Sequence, residues 1–124
     1  MLPARHRLTE RADFAATIRG RGTTRRGSRL LVVHARPADA MLTDARETPS
    51  SRVGLVVSKA VGPAVTRTRV KRRLRAQAAE LLPLLPAGTD VVIRANPAAA
   101  TAASTELGAA LRHCLRDVLV RQET

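Results

Sequence analysis

Between Arg52 and Ala79 the chain carries eight basic residues and no acidic one, and seven of the eight lie between Lys59 and Arg75. This run sits between two apolar stretches rich in β-branched residues, ArgValGlyLeuValValSer at 52–58 and AspValValIleArg at 90–94. Gly62 and Pro63 precede it and Pro83 follows it, so the segment reads strand, turn, helix, strand. The helix is expected over 66–82, stopped by Pro83. Advancing about 100° per residue, Val70, Leu74, Ala78 and Leu81 gather on one stripe, which must face a sheet. A cationic helix braced on a sheet commits the chain to a mixed helix and strand fold, and it leaves a dense basic surface that needs a polyanion.

With a formal net charge of +12 and a pI near 11.8, nucleic acid is the expected polyanion, because Lys and Arg gain affinity by displacing counterions condensed on phosphates. A merely solvated helix face mixes charges of both signs, and this one does not. The chain has 124 residues, of which 44% are hydrophobic, enough for one modest core, so a single domain over 1–124 is expected. No apolar stretch approaches bilayer-spanning length, and MLPARHRLTERADF at the N-terminus has no apolar signal core, so a cytoplasmic protein without membrane contact is expected. The lone Cys114 permits no internal disulfide and no zinc-ligand spacing. Phe14 is the only aromatic residue, so base stacking on aromatics is scarcely available.

Along the chain, residues 9–19 read as a helix, with Thr9 placed to cap the first turn and Phe14 and Ile18 one turn apart on the same face. Glycines 20, 22 and 27 with Arg19, Arg21, Arg25 and Arg26 make a basic loop, with a possible extra strand near 20–28. LeuLeuValValHis at 30–34 reads as a buried or half-buried strand ended by Pro37. The segment 37–51 is polar, holds three of the ten acidic residues and is expected to be a mobile connection. From Ser104 to Val118, Leu107, Leu111, Cys114, Leu115 and Val118 follow helical spacing. The expected order is α-β-β-β-α-β-α. A strand-helix-strand unit such as 52–94 is ordinarily a right-handed parallel crossover.

On the cationic helix, Arg67, Lys71, Arg72 and Arg75 form one arc with Thr68 inside it, while Arg69 and Arg73 project on the opposite flank. The arc lies beside the buried stripe, where side-chain stems can rest on protein and present their charges outward. Arg69 and Arg73 read as general phosphate contacts or solubility charges.

At this point the sequence resembles the protein subunit of bacterial ribonuclease P. The resemblance runs from LeuPro at 2–3, ArgLeu at 7–8 and AspPhe at 13–14 through ArgValGly at 52–54, ValSerLys at 57–59 and AlaVal at 64–65. Its centre is ArgThrArgValLysArgArgLeuArg at 67–75, similar to the family's RNR helix, and AspValValIle at 90–93 and the final helix complete it. The resemblance implies a compact α/β (α+β) fold like a ribosomal-protein domain, with a mixed central sheet packed by helices and an uncommon left-handed β-α-β crossover. It also implies partnership with a catalytic RNA that removes the 5′ leader from precursor tRNA. The RNR face would contact that RNA, and a cleft between the first helix and the sheet would hold the leader. The cleavage chemistry and its Mg2+ would belong to the RNA, with no cofactor bound directly by the protein.

Carried over by position, the resemblance assigns Arg67, Thr68, Arg69, Lys71, Arg72 and Arg75 to RNA binding, and Phe14, Ile18, His34, Ser58 and Lys59 to the leader cleft. Three departures stand out. Thr68 replaces the motif's Asn, losing a bidentate amide but keeping a hydroxyl for phosphate. Ala60 replaces the second lysine after the strand. Ile18 and His34 stand where the family often has aromatics, which leaves stacking to Phe14.

No catalytic or metal-binding residue is expected on the chain itself. His6 and His113 have no carboxylate or cysteine pattern near them, the acids are scattered, and no Ser-His-Asp arrangement is suggested. His34 within an apolar strand reads as a packed or half-exposed strand residue, and Ile18 by its spacing alone reads as core. Two other classes share the basic charge. A general structured-RNA-binding or ribosome-associated protein of the same fold would lack leader preference. A DNA-binding module would put the 66–82 helix in the major groove, but no helix-turn-helix or dimerisation heptad accompanies it, so DNA is not an expected partner.

Overall fold

The parallel pairing of two strands around the cationic helix organises the molecule. The computed structural model describes residues 2–20, 22–37 and 51–123, so most of the expected 37–51 connection lies outside the described residues. Strands β1 (Thr24–Gly27), β2 (Leu31–Arg36), β3 (Arg52–Val56) and β4 (Asp90–Ala95) form one sheet in the order β1-β2-β4-β3. β1 pairs with β2 and β2 with β4 antiparallel, whereas β3 and β4 run parallel. Helices α1 (Arg11–Arg19), α2 (Ala64–Leu81) and α3 (Ser104–Glu123) complete the expected α-β-β-β-α-β-α order, in which α2 makes the crossover from β3 to β4.

Strand alternation sorts the side chains between two faces of the sheet. Leu31, Val33, Ala35, Val53, Val91 and Ile93 are buried on one face. They meet the apolar stripes of α2 (Val70, Leu74, Ala78, Leu81) and α3 (Leu107, Leu111, Cys114, Leu115, Val118), all buried as their helical spacing requires. The other face carries Val32, His34, Arg36, Arg52, Gly54, Asp90, Val92 and Arg94, and α1 packs over it against β2 and β4. The outer edge of β3 is covered by the N-terminal segment: Arg7 bridges Val53 in parallel, and the Leu8 amide donates to the Val53 carbonyl at 2.9 Å.

Several boundaries differ from those the sequence suggests. Thr9 does not cap α1. After a short 3-10 turn, Ala4–His6, residues 7–8 run alongside β3, Glu10 takes the cap position without a side-chain bond, and the amides of Asp13 and Phe14 donate to its carbonyl. α2 starts two residues early, at Ala64, because Pro63 at the cap has no N–H to satisfy and its carbonyl accepts from the Arg67 amide at 3.0 Å. Gly62 supplies the turn before it, with a φ of 154° at which an added Cβ would press on Thr66. Past Leu81 the chain tightens into a short 3-10 turn, Leu82–Leu84, where Pro83 fits. The last helix runs beyond Val118 to Glu123.

Candidate nucleic-acid interface

On α2 the expected division of the basic residues has a physical basis that the sequence did not disclose. Thr68, Arg72 and Arg75 are exposed, and Arg67 and Lys71 are half-buried beside the core stripe. Arg67 Nε donates to the Gly62 carbonyl at 3.2 Å, which holds its guanidinium over the start of the helix. Among the described residues, none of the salt bridges involves an α2 cation, so this arc presents its charge undiminished to solvent. A shallow hollow of about 350 Å3 opens on the outer surface between Ala64, Val65, Thr68, Arg69 and Arg72. Val65 is 78% exposed there, an apolar surface ringed by donors.

The opposite flank is different. Arg69 Nη2 donates to the Ala100 carbonyl at 3.1 Å, Arg73 Nη1 to the Ala102 carbonyl at 2.8 Å, and Gln77 Nε2 to Ser104 Oγ at 3.1 Å. These three side chains, about a turn apart, staple α2 to the 3-10 turn Pro97–Thr101 and the start of α3. Arg69 and Arg73, read from the sequence as general phosphate contacts or solubility charges, each commit one guanidinium nitrogen to a carbonyl of the protein. They satisfy carbonyls left open where the 3-10 turn ends, an arrangement visible only once α3 lies beside α2.

The second group lies on the far side of the sheet. Phe14 projects from α1 onto the backbone of Gly54, where a Cβ would come within 2.5 Å of two ring carbons and 3.1 Å of Leu8 Cβ. The missing side chain at 54 therefore lets the Phe14 ring pack directly against the backbone of the sheet. Phe14 and Ile18 are half-buried, each offering part of its surface outward. His34 is only 3% exposed, and its Nε2 has no hydrogen-bond partner. Its pKa is lowered, first by burial and then by the nearby Arg94 and Arg25 guanidiniums. His34 thus belongs to the floor beneath α1, the packed alternative for that residue. Ser58 and Lys59 are exposed in the turn joining β3 to α2, so chain connectivity links the two groups.

Three features of this face escaped sequence reasoning. Arg94 is exposed near the end of β4, cross-strand from Val32 and Val56. Arg25, read from the sequence only as part of a basic loop, is exposed on β1 opposite His34. Both add positive charge near the α1 face, and the break in the apolar run ValValIleArg at 91–94 was the available signal for the first. The third is an ionic cluster of Asp13, Arg36, Arg52 and Asp90 at the other end of the face. Asp90 is 1% exposed; its carboxyl is pushed up by burial but held on balance below the ordinary range by hydrogen bonds from Arg52 and Arg36. Arg52 is correspondingly held more firmly in its charged form, chiefly by its hydrogen bond to Asp90.

Among the described residues, no three His, Cys, Asp or Glu side chains gather where they could hold a metal ion, and no helix is long and apolar enough to cross a membrane. The Cys114 thiol is buried under α3, and burial pushes its pKa up. What the arrangement offers chemically is binding: a cationic arc on one layer, and on the other an aromatic and aliphatic pair with flanking charge.

The family profile described as Ribonuclease P matches residues 2–119. The chain is 53% identical to the "Ribonuclease P protein component" of Rhodococcus jostii, covering 90% of this chain and 87% of that one. It is 48% identical to the protein of the same name from Streptomyces griseus, covering 96% of each. Among solved structures, the RNase P protein of Staphylococcus aureus superposes with a TM-score of 0.71 at 22% identity, over 90% of this chain and 93% of that one. The RNase P protein of Thermotoga maritima gives 0.68 at 22% identity, over 86% and 92%. At that identity these two likenesses speak for the fold.

Proposed function

The chain belongs to the ribonuclease P protein family, and from that premise we propose that it assists a catalytic RNA in removing the 5′ leader of precursor tRNA by holding the RNA with α2 and the leader with the α1 face. The observation that carries this reading is the arc of Arg67, Thr68, Lys71, Arg72 and Arg75, cationic, outward-facing and without acidic partners among the described residues. A backbone-tracking surface needs that combination, because each phosphate neutralised releases counterions. Arg69 contributes less, since one of its nitrogens already serves Ala100. Thr68 offers phosphate a hydroxyl in place of the family's amide.

On the other face, Phe14 supplies the stacking platform, Ile18 extends it, His34 supports it from below, and Ser58 and Lys59 reach the leader backbone. Bases have π-faces whatever their identity, so one ring confers affinity with little sequence preference. The phosphodiester cleavage and the Mg2+ that supports it reside on the RNA; this chain's part is to bind, orient and raise local affinity, in the cytoplasm where tRNA precursors occur.

The test is cleavage of a precursor tRNA by a bacterial ribonuclease P RNA at low Mg2+, with and without this protein, and with the protein alone. Leader removal only when both are present is expected. Tight binding to the RNA without stimulation would favour a general RNA-binding protein of the same fold, and cleavage by the protein alone would overturn the assignment of chemistry to the RNA.

A further inference from the structure

Helix α1 has nine residues, too few to be stable alone, so its direction on the sheet must be imposed from outside. Phe14 lies on Gly54, and the residue before it, Asp13, reaches an ionic cluster at the edge of the same face. Asp90 stands at the first position of β4, in register with Arg36 of β2 on one side and Arg52 of β3 on the other. Arg52 donates to both carboxylate oxygens of Asp90, from Nε and Nη2, each at 2.9 Å, and Arg36 Nη2 donates to Oδ2 at 2.6 Å. This leaves Arg52 Nη1 turned outward to Asp13 Oδ2 at 3.1 Å, with Arg36 Nη2 3.9 Å from Asp13 Oδ1.

The four side chains are 1 to 29% exposed and sum to zero charge in a protein of net charge +12. Asp90 takes up the bidentate fork, which fixes the Arg52 guanidinium plane and aims its remaining nitrogen. Ion clusters of this kind contribute more to orientation than to net stability. Their geometry matters here because leader stacking depends on a single ring one residue away.

We propose that Asp13, Arg52, Asp90 and Arg36 are positioning residues that set the angle of α1 on the sheet, and thereby the placement of Phe14 and Ile18 for the leader, without contacting RNA. The inference rests on the assignment of the leader to the α1 face. Asp13 is the lever for testing it, since it is the peripheral member and its loss leaves Asp90 neutralised by two arginines.

Asp13→Ala, Asp13→Asn, Phe14→Ala and the double variant Asp13→Ala/Phe14→Ala are each reconstituted with a bacterial ribonuclease P RNA, and affinities for precursor and mature tRNA are measured. In parallel, NMR of the full chain follows the Gly54 α-protons, which sit beneath the only phenylalanine ring and feel its ring current. Asp13→Ala is expected to move the Gly54 resonance and to lower the precursor-to-mature affinity ratio about fivefold, the scale of one partly exposed charge pair. Affinity for the RNA subunit should be unchanged. Asp13→Asn, which keeps an oxygen for Arg52, should recover most of the ratio; a helix-dipole effect of the lost charge would treat Asn and Ala alike. The double variant should match Phe14→Ala alone.

An unmoved Gly54 resonance, or additive losses in the double variant, refutes the positioning role. A moved resonance with an unchanged ratio in both Asp13→Ala and Phe14→Ala instead refutes the assignment of the leader to this face. Should Asp13→Ala lose helicity, Arg36→Gln loosens the cluster from its other side and must act in the same direction.

Discussion

Replacing Asp90 with alanine removes the carboxylate on which two guanidinium groups converge. The side chain is 1% exposed and accepts three hydrogen bonds, at 2.6, 2.9 and 2.9 Å. Its loss leaves Arg36 and Arg52, 29% and 20% exposed, facing each other with only Asp13 to share. Deleting one partner of a buried pair costs about 3–5 kcal/mol, and partial solvation of the arginines puts this case at the lower end, about 3 kcal/mol. Against a total stability of roughly 5–15 kcal/mol that is a large fraction, equivalent to a fall of about 10 °C in melting temperature. The chain has no Trp or Tyr, so urea unfolding is best followed by far-UV circular dichroism at fixed salt. Asp90→Asn, which retains an acceptor and the volume, should lose less. The sign with pH follows from the depressed carboxyl: its contribution is complete above the unfolded value of about 3.9 and is lost as pH falls through the lower folded value. The gap between wild type and Asp90→Asn should therefore close in acid. A loss below about 1 kcal/mol for Asp90→Ala, or a gap that widens in acid, would mean that Arg36 and Arg52 do not depend on the Asp90 carboxylate as argued.

Three further outcomes are expected. Gly54→Ala drives a methyl into the Phe14 ring and should cost about 1–3 kcal/mol in urea unfolding, and Phe14→Ala in the same chain should return part of that loss, which a double-mutant cycle reads directly. His34 is held neutral by burial and by Arg94 and Arg25, so stability should be complete above about pH 6.5 and decline as pH falls from there toward the lower folded value; His34→Gln should flatten that slope, and an unchanged slope refutes the assignment. Arg72→Ala should weaken binding to the RNA subunit and reduce the logarithmic salt slope by about 1, whereas Arg73→Ala should mainly cost about 1 kcal/mol of stability through the bond to Ala102, and equal losses of RNA affinity at both positions contradict the division of α2 into two flanks.

The helical and strand periodicities were legible because each depends on one face meeting one core. Val70, Leu74, Ala78 and Leu81 had to be buried together, as did Leu107, Leu111, Cys114, Leu115 and Val118, and both stripes are. Element ends were less legible. The start of α1 depends on residues 7–8 bonding the edge of β3, and no local capping signal at Thr9 encodes that distant contact. The cationic arc could be read from helical angles, but the use of Arg69 and Arg73 could not, since their carbonyl partners lie 31 and 29 residues away.

By itself the amino-acid sequence determined the alternation of helix and strand, the sign and density of the charge, and the face of α2 that stays outside. These follow from side-chain chemistry repeated at a fixed local period. Only the tertiary structure decided which charges are spent inside the protein. The register of β2, β4 and β3 sets Arg36, Asp90 and Arg52 side by side, and the seat of Phe14 on Gly54 brings Asp13 to them. A charge is free or engaged according to what lies within a few ångströms of it, and in a folded chain that neighbour is set by strand pairing across long sequence separations.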